Sequence, residues 1–233
     1  MKNKVAIITG ATGALGFEVV RTFLNAGANV VTTFRSSEKL RELKDYAGSS
    51  DFHAIEANVT VAAQVAAMAD EVLAKFDRID VLVNCTGGFF GGVSVTDTTE
   101  EQLQKMLDIN FKSAFLCSRA VLPAMIKQKS GRIINIGSKG GLQGAAGMSA
   151  YSASKAALIN FTQSLAAEGK PHNITANLVI PSIIDTPENR AAMPKANFEN
   201  WVSPESLAKV ILFLSSEEGR DISGASVPVF GRS

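Results

Sequence analysis

The stretch that decides the fold is residues 5–16, which read Val-Ala-Ile-Ile-Thr-Gly-Ala-Thr-Gly-Ala-Leu-Gly. The apolar run at its start predicts a strand buried on both faces, as in a parallel sheet. Its three glycines let the chain turn tightly and let backbone N–H groups come close to a pyrophosphate. A helical pattern follows at once, and its N-terminus adds positive potential for an anion. Such turns also serve helix–strand packing alone, so the position after the first strand is what favours a dinucleotide site.

Beyond this turn, short apolar or β-branched runs alternate with segments of helical period. The predicted strands are Lys4–Thr9, Asn29–Phe34, Phe52–Glu56, Val81–Asn84, Arg132–Ile136, Thr175–Val179 and Ser226–Val229. The predicted helices are Gly13–Ala26, Glu38–Ala47, Ala62–Phe76, Glu100–Lys129, Tyr151–Gly169 and Pro204–Leu214. This alternation predicts an α/β protein: a Rossmann-type, doubly wound parallel sheet of about seven strands with helices on both faces. No linker divides the chain, so residues 1–233 are expected to form a single dinucleotide-binding and catalytic domain. Residues 181–203 are the only long irregular stretch, and we expect a substrate loop there.

Composition excludes several classes of function. The 23 basic and 22 acidic side chains leave a formal charge of +1, which favours neither nucleic acid nor a membrane surface as partner. Neither a secretory segment nor a membrane span is recognised, so a cytoplasmic protein is expected. The two cysteines, Cys85 and Cys117, are interpreted as buried thiols, and the two isolated histidines predict no metal site.

The end of the second strand is where a Rossmann fold meets the adenosine ribose. Here the chain reads Arg35-Ser36-Ser37, without the carboxylate that would disfavour a 2′-phosphate. Arginine pairs with phosphate in a bidentate manner, and the serines can donate to it. We therefore expect NADP, with NAD as the other candidate cofactor. The alternative is a solvent-exposed arginine on a loop.

A tyrosine, a lysine and a serine form the candidate chemical set. Tyr151 and Lys155 are four residues apart, hence on one helical face, and Ser138 closes the fifth predicted strand. A free tyrosine has a pKa near ~10, and a nearby ammonium would lower it toward the neutral range. Taken singly, each residue has an ordinary explanation as a helix-start aromatic, a surface charge or a cap.

Taken together, the motifs resemble the short-chain dehydrogenase/reductase family over essentially the whole chain. The matching motifs, in order, are Thr9-Gly10…Gly16, Asn84-Cys85-Thr86-Gly87, Asn110, Ser138, Tyr151…Lys155 and Pro181…Thr186. The chain departs from the family at Ala14, where the short form usually has a glycine, and at Cys85-Thr86 and Ser182. These departures loosen the expected turn geometry, cofactor preference and substrate, but they remove no reacting group.

The resemblance implies a role for each matching residue. Tyr151 would protonate the substrate carbonyl oxygen, and Ser138 would hydrogen-bond the same oxygen. Lys155 would hold the nicotinamide ribose and lower the proton affinity of the tyrosine. Asn110 would lie at a helix irregularity and anchor a water that links Lys155 to solvent. The residues implied to contact the cofactor, besides Tyr151 and Lys155, are Gly10, Thr12, Gly13, Leu15, Gly16, Arg35, Ser36, Asn58, Val59, Asn84, Gly87, Pro181, Ile184 and Thr186.

The resulting hypothesis is an NAD(P)H-dependent carbonyl reductase acting on a ketone-type or 3-oxoacyl small molecule, with Tyr151 as proton donor. The alternatives are a dinucleotide-binding sensor without turnover, and a reductase of the dihydropteridine or quinone type. The resemblance also implies a homo-oligomer, a dimer or tetramer, formed through residues 100–129 and 151–169. The apolar face with Phe111 and Phe115 fits either an interface or the core, and core is the default interpretation.

Overall fold

The computed structural model describes residues 1–48 and 51–232, with the backbone alone at 37–39. Its centre is a seven-stranded sheet in the order β3-β2-β1-β4-β5-β6-β7, with every neighbouring pair parallel. The strands are β1 (Val5–Thr9), β2 (Asn29–Phe34), β3 (Phe52–Glu56), β4 (Val81–Asn84), β5 (Gly131–Ile136), β6 (Ile174–Pro181) and β7 (Ser226–Val229). The predicted fold class is confirmed. The strand order reverses between β1 and β4, which opens a crevice at the carboxyl ends of the strands.

Helices cover both faces of this sheet. They are α1 (Ala14–Asn25), α2 (Ser37–Ala47), α3 (Ala62–Phe76), α4 (Glu100–Leu107), α5 (Ser113–Gln128), α6 (Lys139–Leu142), α7 (Ser149–Gly169), α8 (Pro187–Ala192) and α9 (Pro204–Ser215). Apolar side chains of α1, α2 and α9 pack with one set of strand residues, and those of α3, α5 and α7 with the other. Adjacent residues of β1 divide between these two cores: Ile7 belongs to one and Ile8 to the other. This is why the strand sequence is apolar throughout instead of alternating.

Two local predictions need correction. The helix expected over residues 100–129 is α4 and α5 joined by a π-helical turn, Asp108–Lys112. Residues 181–203 are not irregular throughout, since they contain α8, a 3₁₀ turn at Phe198–Asn200 and a bridge between Ile184 and Val202. Instead, residues 85–99 between β4 and α4 form a long segment without helix or strand. Both segments, 85–99 and 181–203, are rich in polar residues, glycine or proline, so hydrophobic periodicity does not show which of them contains helices.

Candidate active site

Two glycines of the first turn are required by packing. Gly10 has φ +69°, and a Cβ there would lie 2.8 Å from Thr86 N and 2.9 Å from Cys85 C. A Cβ at Gly16 would collide with the carbonyl oxygen of Gly10. Gly10 and Gly16 therefore let α1 and the segment after β4 approach the end of β1 closely, as the packing interpretation of the motif requires.

Gly13 differs from these two glycines, because a Cβ there would meet only the Gly10 carbonyl oxygen, at 3.5 Å. It is the N-cap residue of α1, with φ −93°, and no side chain caps the helix. The first turn of α1 carries no acidic residue, so no side chain of that turn offsets the positive potential of its leading N–H groups. Thr12 and Gly13 are exposed and Leu15 is half-buried. A helix end that no side chain caps, with open space at Gly13, fits the diphosphate of a dinucleotide.

The residues expected around the adenosine lie at the ends of the neighbouring strands. Arg35 and Ser36 follow β2, both exposed, and the Ser36 hydroxyl makes no capping hydrogen bond to α2. The Ser37 side chain lies outside the described residues. After β3, Asn58 Oδ1 accepts hydrogen bonds from the backbone N and the hydroxyl of Thr60, at 3.1 and 2.9 Å. The side chain of Val59 is in the core, so only its backbone remains for a ligand.

Ser138 and Tyr151 meet at the carboxyl edge of the sheet. Ser138 ends the segment after β5 and caps α6, with its Oγ accepting a hydrogen bond from Gly140 N at 3.2 Å. Tyr151 lies in the first turn of α7, and the Ser138 side chain is close enough to its hydroxyl to influence its pKa. Burial raises the pKa of Tyr151, and the nearby Ser138 hydroxyl offsets part of that rise. The expectation that a neighbouring ammonium lowers this pKa is therefore wrong for the ligand-free protein, in which desolvation dominates.

Lys155 lies one turn further along α7 and is only 5% exposed. Its Nζ donates a hydrogen bond to the carbonyl oxygen of Ile136 at 2.8 Å. Burial lowers its pKa from 10.5 to about 8, against a smaller opposing effect of Cys85. A Cβ at Gly87 would lie 3.5 Å from Nζ, so the missing side chain leaves space beside the ammonium. One hydrogen bond leaves an ammonium two further donors, a number that suits a pair of ribose hydroxyls.

Asn110 lies in the π-helical turn, which confirms the predicted helix irregularity. It is 1% exposed and binds both backbone groups of Gly88: Oδ1 accepts from N at 2.9 Å, and Nδ2 donates to O at 3.0 Å. Nδ2 also donates to Ser154 Oγ at 3.1 Å, and Ser154 Oγ donates to the Tyr151 carbonyl oxygen at 2.7 Å. Asn110 therefore ties the segment after β4 to the first turns of α7. A water bound at Asn110 stays a prediction.

Asn84 takes part in a second, deeper polar network. Its Nδ2 donates to Asn135 Oδ1 at 2.8 Å, and Asn135 Nδ2 donates to the Thr162 hydroxyl at 2.9 Å. No described group hydrogen-bonds Asn84 Oδ1, although this atom is buried. The Asn84 side chain therefore belongs to the packing between β4, β5 and α7, and a ligand at this strand end would meet the residues that follow.

The predicted residues after β6 lie on a structured segment. Pro181 is buried at the end of β6, Ile184 bridges to Val202, and Thr186 caps α8 by accepting from Asn189 N at 3.2 Å. Their contacts with a nicotinamide stay predictions.

Sequence reasoning missed Ser154 and the surroundings of Cys85. Ser154 links Asn110 to Tyr151. Its position three residues after the tyrosine on the same helix is the sequence feature that could have indicated this contact. Cys85 is half-buried rather than buried, whereas Cys117 is buried as predicted. Desolvation raises the pKa of the Cys85 thiol to about 12, although nearby Lys155 acts in the opposite direction.

No three His, Cys, Asp or Glu side chains lie close enough together in the described part of the chain to hold a metal ion. No helix within the described ranges is long and apolar enough to span a bilayer.

Comparison with known proteins gives consistent matches over almost the full length. The family model for the short chain dehydrogenases matches residues 4–197. The chain is 33% identical over 243 residues to the acetoacetyl-CoA reductase of Acinetobacter sp. (strain RA3849), covering 99% of this chain and 97% of that protein. It is 32% identical over 238 residues to the 3-oxoacyl-[acyl-carrier-protein] reductase FabG of Salmonella typhimurium, with 99% and 97% covered. The solved structure of ElxO with NADP bound has a TM-score of 0.92 and 28% identity, over 99% of this chain and 98% of that one.

Proposed function

The chain belongs to the short-chain dehydrogenase/reductase family of oxidoreductases, and from that premise we propose that it reduces a ketone-type carbonyl with NADPH. The observation that carries the proposal is the Ser138–Tyr151 hydroxyl pair, one helical turn from the buried ammonium of Lys155. These groups lie at the carboxyl edge of the sheet, where a Rossmann fold binds its ligand. They give a carbonyl oxygen two hydrogen-bond donors, one of which can lose its proton.

When bound, a nicotinamide dinucleotide supplies the hydride. Tyr151 donates its hydroxyl proton to the carbonyl oxygen as that oxygen gains negative charge. Because burial raises its pKa, Tyr151 is protonated at neutral pH and suits the role of acid. Ser138 turns its hydroxyl from Tyr151 toward the same oxygen and fixes its position. In the reverse direction, the tyrosine accepts the proton of an alcohol.

Lys155 and its neighbours prepare this site. The ammonium would hold the ribose hydroxyls in the space beside Gly87, with the two donors that its hydrogen bond to Ile136 leaves over. Asn110 fixes Gly88, and thereby the wall of this space, through two backbone hydrogen bonds.

The preference for NADP over NAD rests on Arg35 and Ser36. Both side chains are exposed at the end of β2, which is the strand end where a Rossmann fold meets the adenosine ribose, and no acidic residue stands at 35–37. Arginine and serine donors suit a 2′-phosphate. ElxO, which resembles this chain in fold and sequence, was solved with NADP bound.

The substrate is proposed as a small 3-oxoacyl compound or a related ketone. The two curated relatives described above are named for acetoacetyl-CoA and 3-oxoacyl-[acyl-carrier-protein]. Both names describe a ketone two carbons from a thioester carbonyl, so a 3-oxoester or 3-oxothioester is the first probe to use.

We further propose a cytoplasmic homo-oligomer, a dimer or homotetramer. The candidate interface is a cluster of three aromatic rings with centroids 5.5 to 6.3 Å apart. They are Phe111 of the π-helical turn, Phe115 of α5 and Phe161 of α7. Phe115 is exposed, so part of the face assigned by default to the core is open to water. Light scattering that reports only monomer would remove this proposal.

The test is a two-step assay of the purified protein. Quenching or enhancement of NADPH fluorescence first measures cofactor binding, and loss of reduced-nicotinamide absorbance then follows turnover on acetoacetyl-CoA and on simple 3-oxoesters. The proposal expects binding, followed by consumption of NADPH that requires a ketone. Binding without consumption on any carbonyl or quinone probe would favour the sensor, and consumption on quinones or quinonoid pterins alone would favour the other reductase type.

A further inference from the structure

Phe89 is a large apolar side chain exposed next to the reacting tyrosine. It lies in the segment 85–99 after β4 and is 66% exposed. Its ring meets the Tyr151 ring edge to face, with centroids 5.0 Å apart and planes at 73°. Covering a water-exposed aromatic ring with another apolar surface lowers the free energy of the system.

The backbone around Phe89 is held in place. Gly88, the preceding residue, is bound at both its N and its O by the buried Asn110. Further along, Gly92 N donates to the carbonyl oxygen of Gly147 at 2.8 Å, which joins this segment to the one before α7. The ring itself lies over Gly91, since a Cβ there would come 2.7 Å from Phe89 Cζ. The ring is therefore a positioned neighbour of Tyr151.

Apolar groups continue on the other side of Tyr151. A Cβ at Gly140 would lie 3.3 Å from Met148 Cε and 3.4 Å from Tyr151 Cε1, so Met148 and the tyrosine ring meet the same point of α6. Leu142, at the end of α6, is 53% exposed. Apolar side chains are therefore available both at the Tyr151 ring and on the neighbouring α6.

Two cations of the surrounding segments already have partners. Arg190 of α8 makes a bidentate ion pair with Asp185, at 2.6 and 2.7 Å, and lies 4.8 Å above the Phe198 ring. Lys139 of α6 has its Nζ 5.3 Å above the Phe230 ring. These contacts leave both cations less available to the phosphates of a coenzyme A tail than free side chains would be.

We propose that Phe89 determines substrate specificity by packing against a flat apolar group attached to the carbonyl that Tyr151 protonates. The substrate class is thereby narrowed to ketones with an aryl or similarly flat apolar substituent. This inference rests on the proposed reductase function. The ring contact exists in the bound substrate and in the transition state alike, so its loss appears mainly in KM.

The test compares two neutral 3-oxoesters that differ only beside the ketone: ethyl benzoylacetate, with a phenyl group, and ethyl acetoacetate, with a methyl group. The wild-type protein is expected to prefer the phenyl ester in kcat/KM. Phe89→Ala is expected to lower kcat/KM on the phenyl ester by about tenfold, and on the methyl ester by less than about threefold.

Two further variants separate ring position from general damage. Gly91→Ala pushes the tip of the Phe89 ring aside without removing it, and is expected to lower kcat/KM on the phenyl ester in the same selective way. Phe213→Ala removes a ring that is 46% exposed on α9, and is the matched control, with both esters unaffected. The melting temperature of Phe89→Ala is expected to stay near that of the wild type, because an exposed ring contributes little to the core.

Equal losses on both esters in Phe89→Ala would overturn the inference, because they would show that the ring only supports Tyr151. A wild-type preference for the methyl ester, or unchanged selectivity in both variants, would overturn it as well while leaving the reductase function intact. NADPH consumption on none of the probes would overturn both the function and the inference that rests on it.

Discussion

Lys155 shows how a residue changes its chemistry between sequence and folded chain. From sequence alone, a lysine is expected to be a solvated surface cation. In the fold, Lys155 is buried and its Nζ donates a hydrogen bond to the Ile136 carbonyl oxygen. The pairing with Tyr151 was predictable from the i, i+4 spacing on a helix. Its burial was not predictable, since it depends on β5 and on the segment after β4, which are distant in sequence.

The lowered pKa of Lys155 predicts a specific pH dependence of stability. Between pH about 8 and 10.5 the unfolded chain holds this proton and the folded chain does not, so the free energy of unfolding rises with pH across that window. Denaturant unfolding of wild type and Lys155→Met from pH 7 to 10.5 is expected to show the wild type gaining up to ~3 kcal/mol relative to the variant. Tyr151 and Cys85 are present in both proteins, so their titration largely cancels in the difference. A difference that stays constant with pH would contradict the buried, deprotonating lysine.

Arg35 carries the prediction on cofactor choice. Removing one charge-assisted partner of a phosphate costs about 1.5–3 kcal/mol, so Arg35→Ala is expected to weaken NADPH binding about 10- to 100-fold and NADH binding by less than about threefold. Fluorescence titration of both cofactors measures this, with Arg119→Ala, an exposed arginine of α5, as the control. Equal weakening of NADPH and NADH, or none, would show that Arg35 does not meet the 2′-phosphate.

At the scale of elements, the strands were the most predictable part of the fold. Short, largely apolar runs such as Val81–Asn84 are typical of strands buried on both faces of a sheet. The structure has this strand with the predicted bounds. The segment 85–99 was harder, because its shape comes from contacts such as the Asn110 clamp on Gly88 rather than from local periodicity. The π-helical turn was anticipated only through the resemblance of Asn110 to its family position.

Asn110 supplies the prediction for this element. Asn110→Ala would leave the N and O of half-buried Gly88 and the buried hydroxyl of Ser154 without their amide partner, at about 1–3 kcal/mol for each group that water does not reach. We expect a loss of about 2–4 kcal/mol in the free energy of unfolding, measured with urea. The exposed Asn160 of α7 provides the control, since Asn160→Ala is expected to change stability by less than about 0.5 kcal/mol. A similar small effect for Asn110→Ala would mean that the clamp does not stabilise the π-helical turn.

At the scale of the whole molecule, the site is an assembly of strand ends. The glycine turn follows β1, Arg35 follows β2, Gly87 and Phe89 follow β4, and Ser138 follows β5. A parallel sheet brings all of these ends to one edge, so the topology that could be predicted from the alternation of strands and helices also predicts which residues gather. The contacts among them could not be predicted, because spacing along the chain does not show that Ser138 approaches Tyr151 or that the Phe89 ring packs against it.

The proposed activity depends on proton transfer from Tyr151 to a carbonyl oxygen at this edge of the sheet, and Tyr151→Phe removes the proton donor. The substitution removes one hydroxyl from a site whose backbone and apolar contacts remain. NADPH titration and NADPH consumption on a 3-oxoester are measured on the same wild-type and variant preparations. The expected result is a fall of at least about 100-fold in kcat, the range of a lost general acid, with a change of less than about threefold in the Kd for NADPH. Turnover by Tyr151→Phe at the wild-type rate would contradict it.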